Sequence, residues 1–240
     1  MNAPAIWTPY CGVGATPVDL ALRWNLDPVL LAAFAVAGVV LWRRRSGIAG
    51  WAALALAAVI FVSPLCALSS ALFAARTVHH VLLVAAVAPL AAWALPRGRP
   101  GGLLASTLLA TVVFWAWHAP GAYAWALSSD AAYWLMQISL GGAAFAFWMA
   151  VLAARMLPAV AALLVSTVQM GLLGAILTVA DRPFYAPHAT TTFAWGLTPL
   201  ADQQLAGLIM WAPAASIYLG VALWMTWRAL GRTEAPSAAA

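Results

Sequence analysis

The chain has 240 residues, of which 65% are hydrophobic and only 7% are charged. A water-soluble domain of this length needs far more charge to cover its surface, so the composition indicates a membrane protein. The net charge of +5 arises from 11 arginines, with no lysine, against 6 acidic residues. No basic stripe carries interleaved aromatic residues, which argues against a nucleic-acid partner.

Apolar runs recur along the whole chain, and each is long enough, or nearly so, to cross a bilayer as a helix. We therefore predict an all-α polytopic membrane protein, a bundle of seven transmembrane helices. The predicted spans are residues 27–42, 48–64, 71–95, 102–119, 131–153, 157–180 and 203–228. The predicted organisation is a periplasmic N-terminal segment (1–26), a transmembrane domain (27–228) and a disordered cytoplasmic tail (229–240).

The arginines predict the orientation of this bundle. With seven spans, one side carries Arg43, Arg44, Arg45, Arg97, Arg99, Arg155, Arg228 and Arg232. The other side carries only Arg23, Arg76 and Arg182. Because arginine-rich loops stay in the cytoplasm, the N-terminus is predicted outside and the C-terminus in the cytoplasm.

Polar side chains gather near the outer ends of the predicted spans. His79 and His80 lie about nine residues into the third span, which is roughly 13 Å deep at a helical rise of 1.5 Å per residue. The other polar residues at or above this depth are His118, Tyr133, Gln137, Asp202 and Gln203. Ionisable groups inside a membrane usually face the bundle interior and mark functional sites. The sequence therefore predicts a polar pocket in the outer half of the membrane.

Arg76 belongs to the same pocket, since it precedes His80 by one helical turn. Its charge disfavours a bound cation and suits an anion, such as a haem propionate, a lipid phosphate or Asp202. His79 points about 100° away from His80, toward another helix or the lipid. His188, in a long outer loop, is expected to be solvated.

Cys11 and Cys66 are the only cysteines, and both map to the outer side. In an oxidising compartment they could form a structural disulfide. Soft thiolates also select Cu(I), so copper ligation is an alternative that the sequence leaves open. The chain has no Gly-rich phosphate loop, CxxC, nucleophile elbow or HExxH motif, and we predict that it is not an enzyme.

Several stretches, read in chain order, resemble the CtaG family of integral-membrane cytochrome c oxidase assembly factors. They are RWNLDPVLL before the first span, SPLCALSSALFAARTVHHVLLVAAVAPL around the third, WHAPGAYAWAL at the end of the fourth, and TPLADQQLAGLIMWAPAASIYL at the seventh. The most specific of them is DQQLAGLIMW, and the resemblance covers nearly the whole chain.

This resemblance implies a role in the maturation of haem–copper oxidases in the bacterial inner membrane, with Cu(I) delivered to the oxidase. A haem–copper oxidase subunit, a periplasmic copper chaperone and membrane lipids are the implied partners. His80 and His118 match histidines of the family, and Asp202 matches the acid before its glutamine pair. The candidate copper ligands are therefore His80 and His118, with His79, Cys11 and Cys66 as further candidates.

The chain also departs from the family pattern, because Arg76, Tyr133 and Gln137 stand where the family commonly has histidine. This departure keeps two other functions open. One is a non-metal scaffold or accessory subunit for oxidase assembly. The other is a haem-binding membrane protein in which His80 and His118 are axial ligands and Arg76 pairs with a propionate.

Overall fold

The computed structural model describes residues 9–96 and 102–233, with side chains described up to residue 231. All regular secondary structure in these ranges is helical. The main helices are α1 (Pro28–Arg43), α2 (Ile48–Val62), α3 (Leu65–Ala71), α4 (Phe73–Trp93), α5 (Leu103–His118), α6 (Pro120–Ala126), α7 (Asp130–Ala153), α8 (Met156–Val179) and α9, which begins at Pro199 and ends at Thr233. The predicted Arg97 and Arg99 positions lie outside the described residues.

Four helices in the described ranges, α4, α7, α8 and α9, are long and apolar enough to cross a membrane. The count rises to six if each of two bent pairs forms one span, namely α2–α3, bent by 47°, and α5–α6, bent by 81°. Helix α1 is apolar but has only 16 residues. The structure thus supports an all-helical membrane protein, and a seventh span would require α1 to cross as well.

The helices start where the sequence supplies capping groups. The Asp27 carboxylate accepts hydrogen bonds from the amides of Val29 and Leu30 at the start of α1. The hydroxyls of Ser129 and Thr198 accept from amides in the first turns of α7 and α9. These side chains satisfy backbone donors that have no partner within the helix.

The stretches SPLCALSS and APGAYAWALSSD, predicted as connecting segments, instead contain the short helices α3 and α6. Ser63 and Ala119 each precede a proline and have extended backbone conformations. A residue before proline is disfavoured in the helical region, so each preceding helix stops and a new one begins in another direction. The bends therefore have a local cause that apolar patterning does not reveal.

Helix α9 also extends further than predicted. Its last part, Ala215–Thr233, includes residues 229–233, which were assigned to a disordered tail. The stretch RALGR contains good helix formers, so the helix continues past the apolar run. The rest of the predicted tail, 234–240, lies outside the described residues.

Helices α4 and α9 each contain one widened, π-helical turn, at Leu83–Val87 and Met210–Ala214. In α4, the carbonyl of Val84 accepts a hydrogen bond from Nε1 of Trp148 on α7 at 2.9 Å. In α9, the widened turn contains Pro213, which lacks a backbone donor. In a widened turn, some backbone groups lack their usual hydrogen bond within the helix and can bond to groups of neighbouring helices.

The bundle packs around α4, whose first half contacts α9 and whose second half contacts α7. Helix α8 lies along α9, and α5 lies along α7. One core cluster surrounds the first half of α4 and includes Phe73, Tyr123 and Tyr133. This arrangement brings the starts of α4, α7 and α9 together with the ends of α2 and α5, at one end of the bundle.

Candidate functional site

The site is built around the break between α3 and α4. Leu72 has an extended backbone there, which leaves the carbonyl of Ala71 and the first amides of α4 without helical partners. The Asp202 carboxylate on α9 accepts hydrogen bonds from the amides of Phe73 and Ala74, at 2.6 and 3.1 Å. The start of α4 is therefore fixed to α9 by a carboxylate cap.

Arg76 lies in the first turn of α4, and its side chain is fully buried, with 0% exposure. Its Cζ lies 5.2 Å from the ring centroid of Tyr133, and the hydroxyls of Tyr133 and Tyr123 interact with the guanidinium. Within the described ranges the guanidinium makes no salt bridge and no hydrogen bond of normal geometry. The suggested pairing with Asp202 is absent, because that carboxylate is bound to the backbone amides of α4.

Three histidines form a cluster next to Arg76, which we call the histidine cluster: His79, His80 and His118. The ring centroids of His79 and His80 are 5.7 Å apart, and those of His80 and His118 are 6.4 Å apart. All three rings are buried, with exposures of 0%, 6% and 7%. The sequence placed His80 and His118 at similar depths along their helices. In the structure the two rings lie side by side.

His79 faces the protein interior, not the lipid. Its ring packs edge-on against Phe61 of α2, with centroids 5.0 Å apart. Neither ring nitrogen makes a hydrogen bond of normal geometry, although the backbone of Ile60 is close enough to interact. The sequence left two directions open, and packing of α2 against α4 selects the buried one.

His80 contacts Gln137 of α7, with 3.4 Å between its Nε2 and the amide nitrogen. The amide N–H can donate to Nε2 when this nitrogen carries no hydrogen. Within the described ranges the other amide atom, Oε1 of Gln137, is buried and makes no hydrogen bond of normal geometry, although the Tyr133 hydroxyl is close enough to interact with the amide. Gln137 therefore lies beside both His80 and Tyr133.

His118 ends α5, and its orientation is well defined. Its Nδ1 donates to the carbonyl of Phe114 at 2.7 Å, so Nε2 is the nitrogen that keeps its lone pair in the neutral ring. The His118 carbonyl accepts from the Tyr185 hydroxyl at 2.9 Å. His118 also lines an open cavity of about 330 Å³ with Tyr185 and Leu177, which gives this ring a route to the surface.

His188 is buried, with 2% exposure, so the expectation of a solvated loop histidine is wrong. Its Nδ1 donates to the Ala71 carbonyl at 3.3 Å, and its Nε2 accepts from the Tyr123 hydroxyl at 2.6 Å. Burial lowers the pKa of His188 to about 3, and the charge of Arg76 acts in the same direction. The loop between α8 and α9, which contains His188, thereby covers the α3–α4 break, where Thr191 also donates to Ala71 at 2.6 Å.

Cys11 and Cys66 form a disulfide, with Cα atoms 5.4 Å apart. In this oxidised form neither sulfur is a thiolate, so the prediction that they complete a copper site does not apply. The Tyr133 hydroxyl lies 3.6 Å from Sγ of Cys11 and donates to it, because a disulfide sulfur carries no hydrogen. The bond holds the N-terminal segment over the site.

Tyr10 extends this contact between the N-terminal segment and the bundle. Its ring stacks on Tyr133, with centroids 5.0 Å apart, and its hydroxyl donates to Asp27 at 2.6 Å. Burial and the Asp27 carboxylate raise the pKa of Tyr10 to about 12, and the hydrogen bond from Tyr10 lowers the pKa of Asp27. The segment is therefore anchored beside Tyr133.

Gln203 was predicted in the pocket but serves the loop instead. Its Oε1 accepts from the amide of Phe184 at 2.7 Å, and its Nε2 donates to the carbonyl of Arg182 at 3.3 Å. Gln204 donates to the Ala180 carbonyl at 3.2 Å. The glutamine pair thus attaches the loop between α8 and α9 to the start of α9, next to the Asp202 cap.

The described residues contain no group of three or more His, Cys, Asp or Glu placed to hold a metal ion. What the site does offer is a pair of imidazoles, His80 and His118, beside a cavity at His118. A buried cation, Arg76, lies one turn from His80. The chemistry available is therefore two-coordinate ligation by neutral imidazoles or hydrogen bonding, without a general acid–base pair.

Fold and site together define a polytopic helical membrane protein with a buried histidine-containing site and no catalytic constellation in its described part. The model of the cytochrome c oxidase caa3 assembly factor family (Caa3_CtaG) matches residues 102–232, more than half of the chain. The chain belongs to this family, which agrees with the resemblance seen in the sequence. Comparison with curated proteins and with solved structures gives no significant match.

Membership of this family makes the chain an oxidase assembly factor and not an enzyme, as predicted. The matched region contains His118, Gln137, His188 and Asp202 but begins after His80. His80, on α4, therefore lies outside the matched residues, whereas His118 lies within them.

Proposed function

We propose that the chain assists copper delivery to a haem–copper oxidase from the bacterial inner membrane. Cu(I) is the cargo, held briefly between Nε2 of His118 and the ring of His80. The proposed partners are an oxidase subunit that receives the ion and a periplasmic copper chaperone that supplies it. Oxidase assembly is the role that the family name states.

One observation carries this proposal: two imidazoles from different helices meet beside an open cavity. Two imidazoles bound on opposite sides of one metal, at about 2 Å per metal–nitrogen bond, have ring centres roughly 6 Å apart. The observed 6.4 Å between His80 and His118 is close to that value. A small side-chain movement would complete a two-coordinate site, and the cavity at His118 gives the ion a path.

Arg76 is the feature that makes such a site a transient one. Its buried charge interacts with His80 and opposes a second positive charge nearby. Copper bound here would be held less tightly than in a closed site of three or four ligands. Weak retention suits a protein that passes its metal on.

Copper retention by the purified protein tests the binding step. Detergent-purified protein is loaded with Cu(I) under ascorbate, which leaves the disulfide intact, and is compared with the His80→Ala/His118→Ala variant. Because the site is weak, bound copper is measured at equilibrium with excess Cu(I): we expect one ion per chain in the original protein, almost none in the double variant, and unchanged binding in His188→Gln and Cys11→Ser/Cys66→Ser. Melting temperatures of all variants provide the control for folding.

Equal copper in the double variant, or none in the original protein, would exclude this site. An absorption spectrum of the same samples covers the haem alternative, because two axial histidines give an intense Soret band. A Soret band that disappears in the double variant would assign His80 and His118 to haem.

A second candidate function is a metal-free scaffold for oxidase assembly. The observations that favour it are the buried Arg76, which makes no salt bridge within the described ranges, and the oxidised Cys11–Cys66 pair. A scaffold would copurify with the oxidase equally well from copper-depleted and copper-replete cells. A copper-dependent association would instead support delivery.

We also propose that α1 and both bent pairs cross the membrane, which gives seven spans with the N-terminus outside. The arginine bias supports this orientation, and so does the disulfide, which forms in an oxidising compartment. Reporters inserted at the N-terminus and after residue 45 should then report opposite sides, because only α1 lies between them, and so should reporters after residues 99 and 128, which flank the α5–α6 pair. Reporters on the same side would contradict the seven-span topology.

A further inference from the structure

A large apolar groove lies at the end of the bundle opposite the histidine cluster. It has a volume of about 650 Å³ and lies between the second half of α4, the last turns of α7 and the second half of α9. Val151, on its floor, is 14 residues beyond Gln137 on α7, which is about 21 Å along the helix axis. The groove is therefore separate from the histidine site.

The groove is lined mainly by apolar residues, and its floor is buried. Trp148 and Val151 form the buried floor, with exposures of 2% and 0%. Gly220 of α9 faces it, and a side chain added at Gly220 would meet no atom within 4 Å. The missing side chain at this position keeps the groove open for an apolar chain.

A cation stands at the rim of the groove. Arg228 is exposed, and its Cζ lies 4.9 Å from the ring centroid of Trp224. Within the described ranges Arg228 makes no salt bridge. An arginine held on a tryptophan near a helix end has the position and charge to bind an anionic headgroup at the membrane surface.

A second cavity, of about 200 Å³, adjoins the groove. Both cavities are lined by Trp224, Met225 and Arg228, and the second also reaches Met156. Arg228 therefore stands where two apolar cavities meet. One anionic group at Arg228 could therefore have an apolar chain in each cavity.

We propose that this groove binds an anionic diacyl phospholipid, with its phosphate at Arg228 and its acyl chains in the two cavities. A free anion would use Arg228 but not the apolar walls, and a zwitterionic lipid would use the walls but gain less from the arginine. The lipid would fill the space between α4, α7 and α9 and support their packing at this end.

Native mass spectrometry of the detergent-purified protein tests the proposal with dioleoyl phosphatidylglycerol and dioleoyl phosphatidylcholine. These two probes share acyl chains and differ in headgroup charge. The original protein should retain phosphatidylglycerol at least about fivefold more than phosphatidylcholine, as expected for one arginine at a membrane surface. Arg228→Gln should remove this preference, and Gly220→Phe should reduce retention of both lipids.

Two matched variants provide the controls. Arg44→Gln removes an exposed arginine outside the groove, and Gly142→Phe fills open space on another face of α7. Both should retain phosphatidylglycerol as the original protein does, and equal melting temperatures would show that the variants are folded.

Three outcomes would overturn the proposal. Equal retention of the two lipids by the original protein would exclude headgroup recognition. An unchanged preference in Arg228→Gln would place the headgroup elsewhere. Displacement of the lipid by inorganic phosphate, or a dimer that Gly220→Phe abolishes, would assign the groove to a free anion or to a second copy of the chain.

Discussion

His188 joins parts of the chain that are far apart in the sequence. It accepts a hydrogen bond from Tyr123 on α6 and donates one to Ala71 at the end of α3. Both bonds require the neutral ring with its hydrogen on Nδ1. Protonation of Nε2 would remove the acceptor for Tyr123 and place a second charge near Arg76.

This geometry makes the stability of the protein depend on pH. The unfolded chain binds a proton at His188 near pH 6.5, whereas the folded chain binds it only near pH 3, so the unfolded state carries more protons between these values. Stability should fall as the pH drops through this window. Between pH 6.5 and 5 the loss from His188 is about 2 kcal/mol.

Melting temperatures measured from pH 7.5 to 5 check this prediction. His188→Gln should lower the melting temperature at neutral pH but show a shallower decline toward pH 5. Thr191→Val is the matched control, because it removes a bond to the same Ala71 carbonyl without removing a titrating group. Equal pH slopes for the original protein and His188→Gln would contradict the assignment.

The residues of the site were only partly predictable from the sequence. The sequence predicted similar depths for His80 and His118, because the number of residues between each histidine and the end of its predicted helix can be counted. His188 could not, since the burial of a loop residue depends on tertiary contacts and nothing in FYAPHATT specifies them. The aromatic residues beside it were the available signal, as Tyr185 and Tyr123 form its surroundings.

At the scale of elements, the crossing of α8 and α9 depends on two glycines. A Cβ at Gly174 would lie 2.7 Å from the Gly207 carbonyl oxygen, and one at Gly207 would lie 2.6 Å from that of Gly174. The two backbones therefore touch directly, as in other close helix crossings in membranes. Any side chain at this crossing must push the helices apart.

Gly174→Ala should destabilise the protein by about 1–3 kcal/mol, because the two atoms nearest to the added Cβ, the Gly207 oxygen and the Trp211 nitrogen, are backbone atoms and cannot rotate away. The expected observation is a melting temperature lower by several degrees in detergent. Gly171→Ala, one turn earlier on α8, has its nearest contact at 3.7 Å and should leave the melting temperature unchanged or slightly higher. Equal melting temperatures for the two variants would show that the crossing is not closely packed in solution.

The long helices were well predicted because each is a long apolar run with polar ends. The predicted spans at 131–153 and 157–180 correspond to α7 and α8 with ends displaced by one residue. The short helices α3 and α6 were missed, because seven residues carry too little periodicity and their prolines suggest turns. The widened turns in α4 and α9 depend on tertiary contacts and leave no pattern of this kind.

At the scale of the whole molecule, the two ends of the bundle differ in chemistry. One end carries the histidine cluster, the buried arginine, the disulfide and the loop between α8 and α9. The other end carries the apolar groove with Arg228 at its rim. Helix α4 links the two, since its first half holds His80 and its second half lines the groove.

This separation predicts that variants at the two ends act independently. Arg228→Gln should leave copper retention unchanged, and the His80→Ala/His118→Ala variant should leave the lipid preference unchanged. Sites about 20 Å apart with no shared partners usually show additive effects. Copper loss in Arg228→Gln would indicate that α4 transmits a change between them.

The most direct test of copper delivery is the copper content of the client oxidase, measured per haem. Cells lacking the chain would be complemented with the original gene or with His80→Ala/His118→Ala, and the oxidase would be purified from each. We expect normal copper with the original protein and a clear loss with the variant, although both proteins accumulate equally in the membrane. A full complement of copper in oxidase from the variant cells would contradict delivery through these histidines.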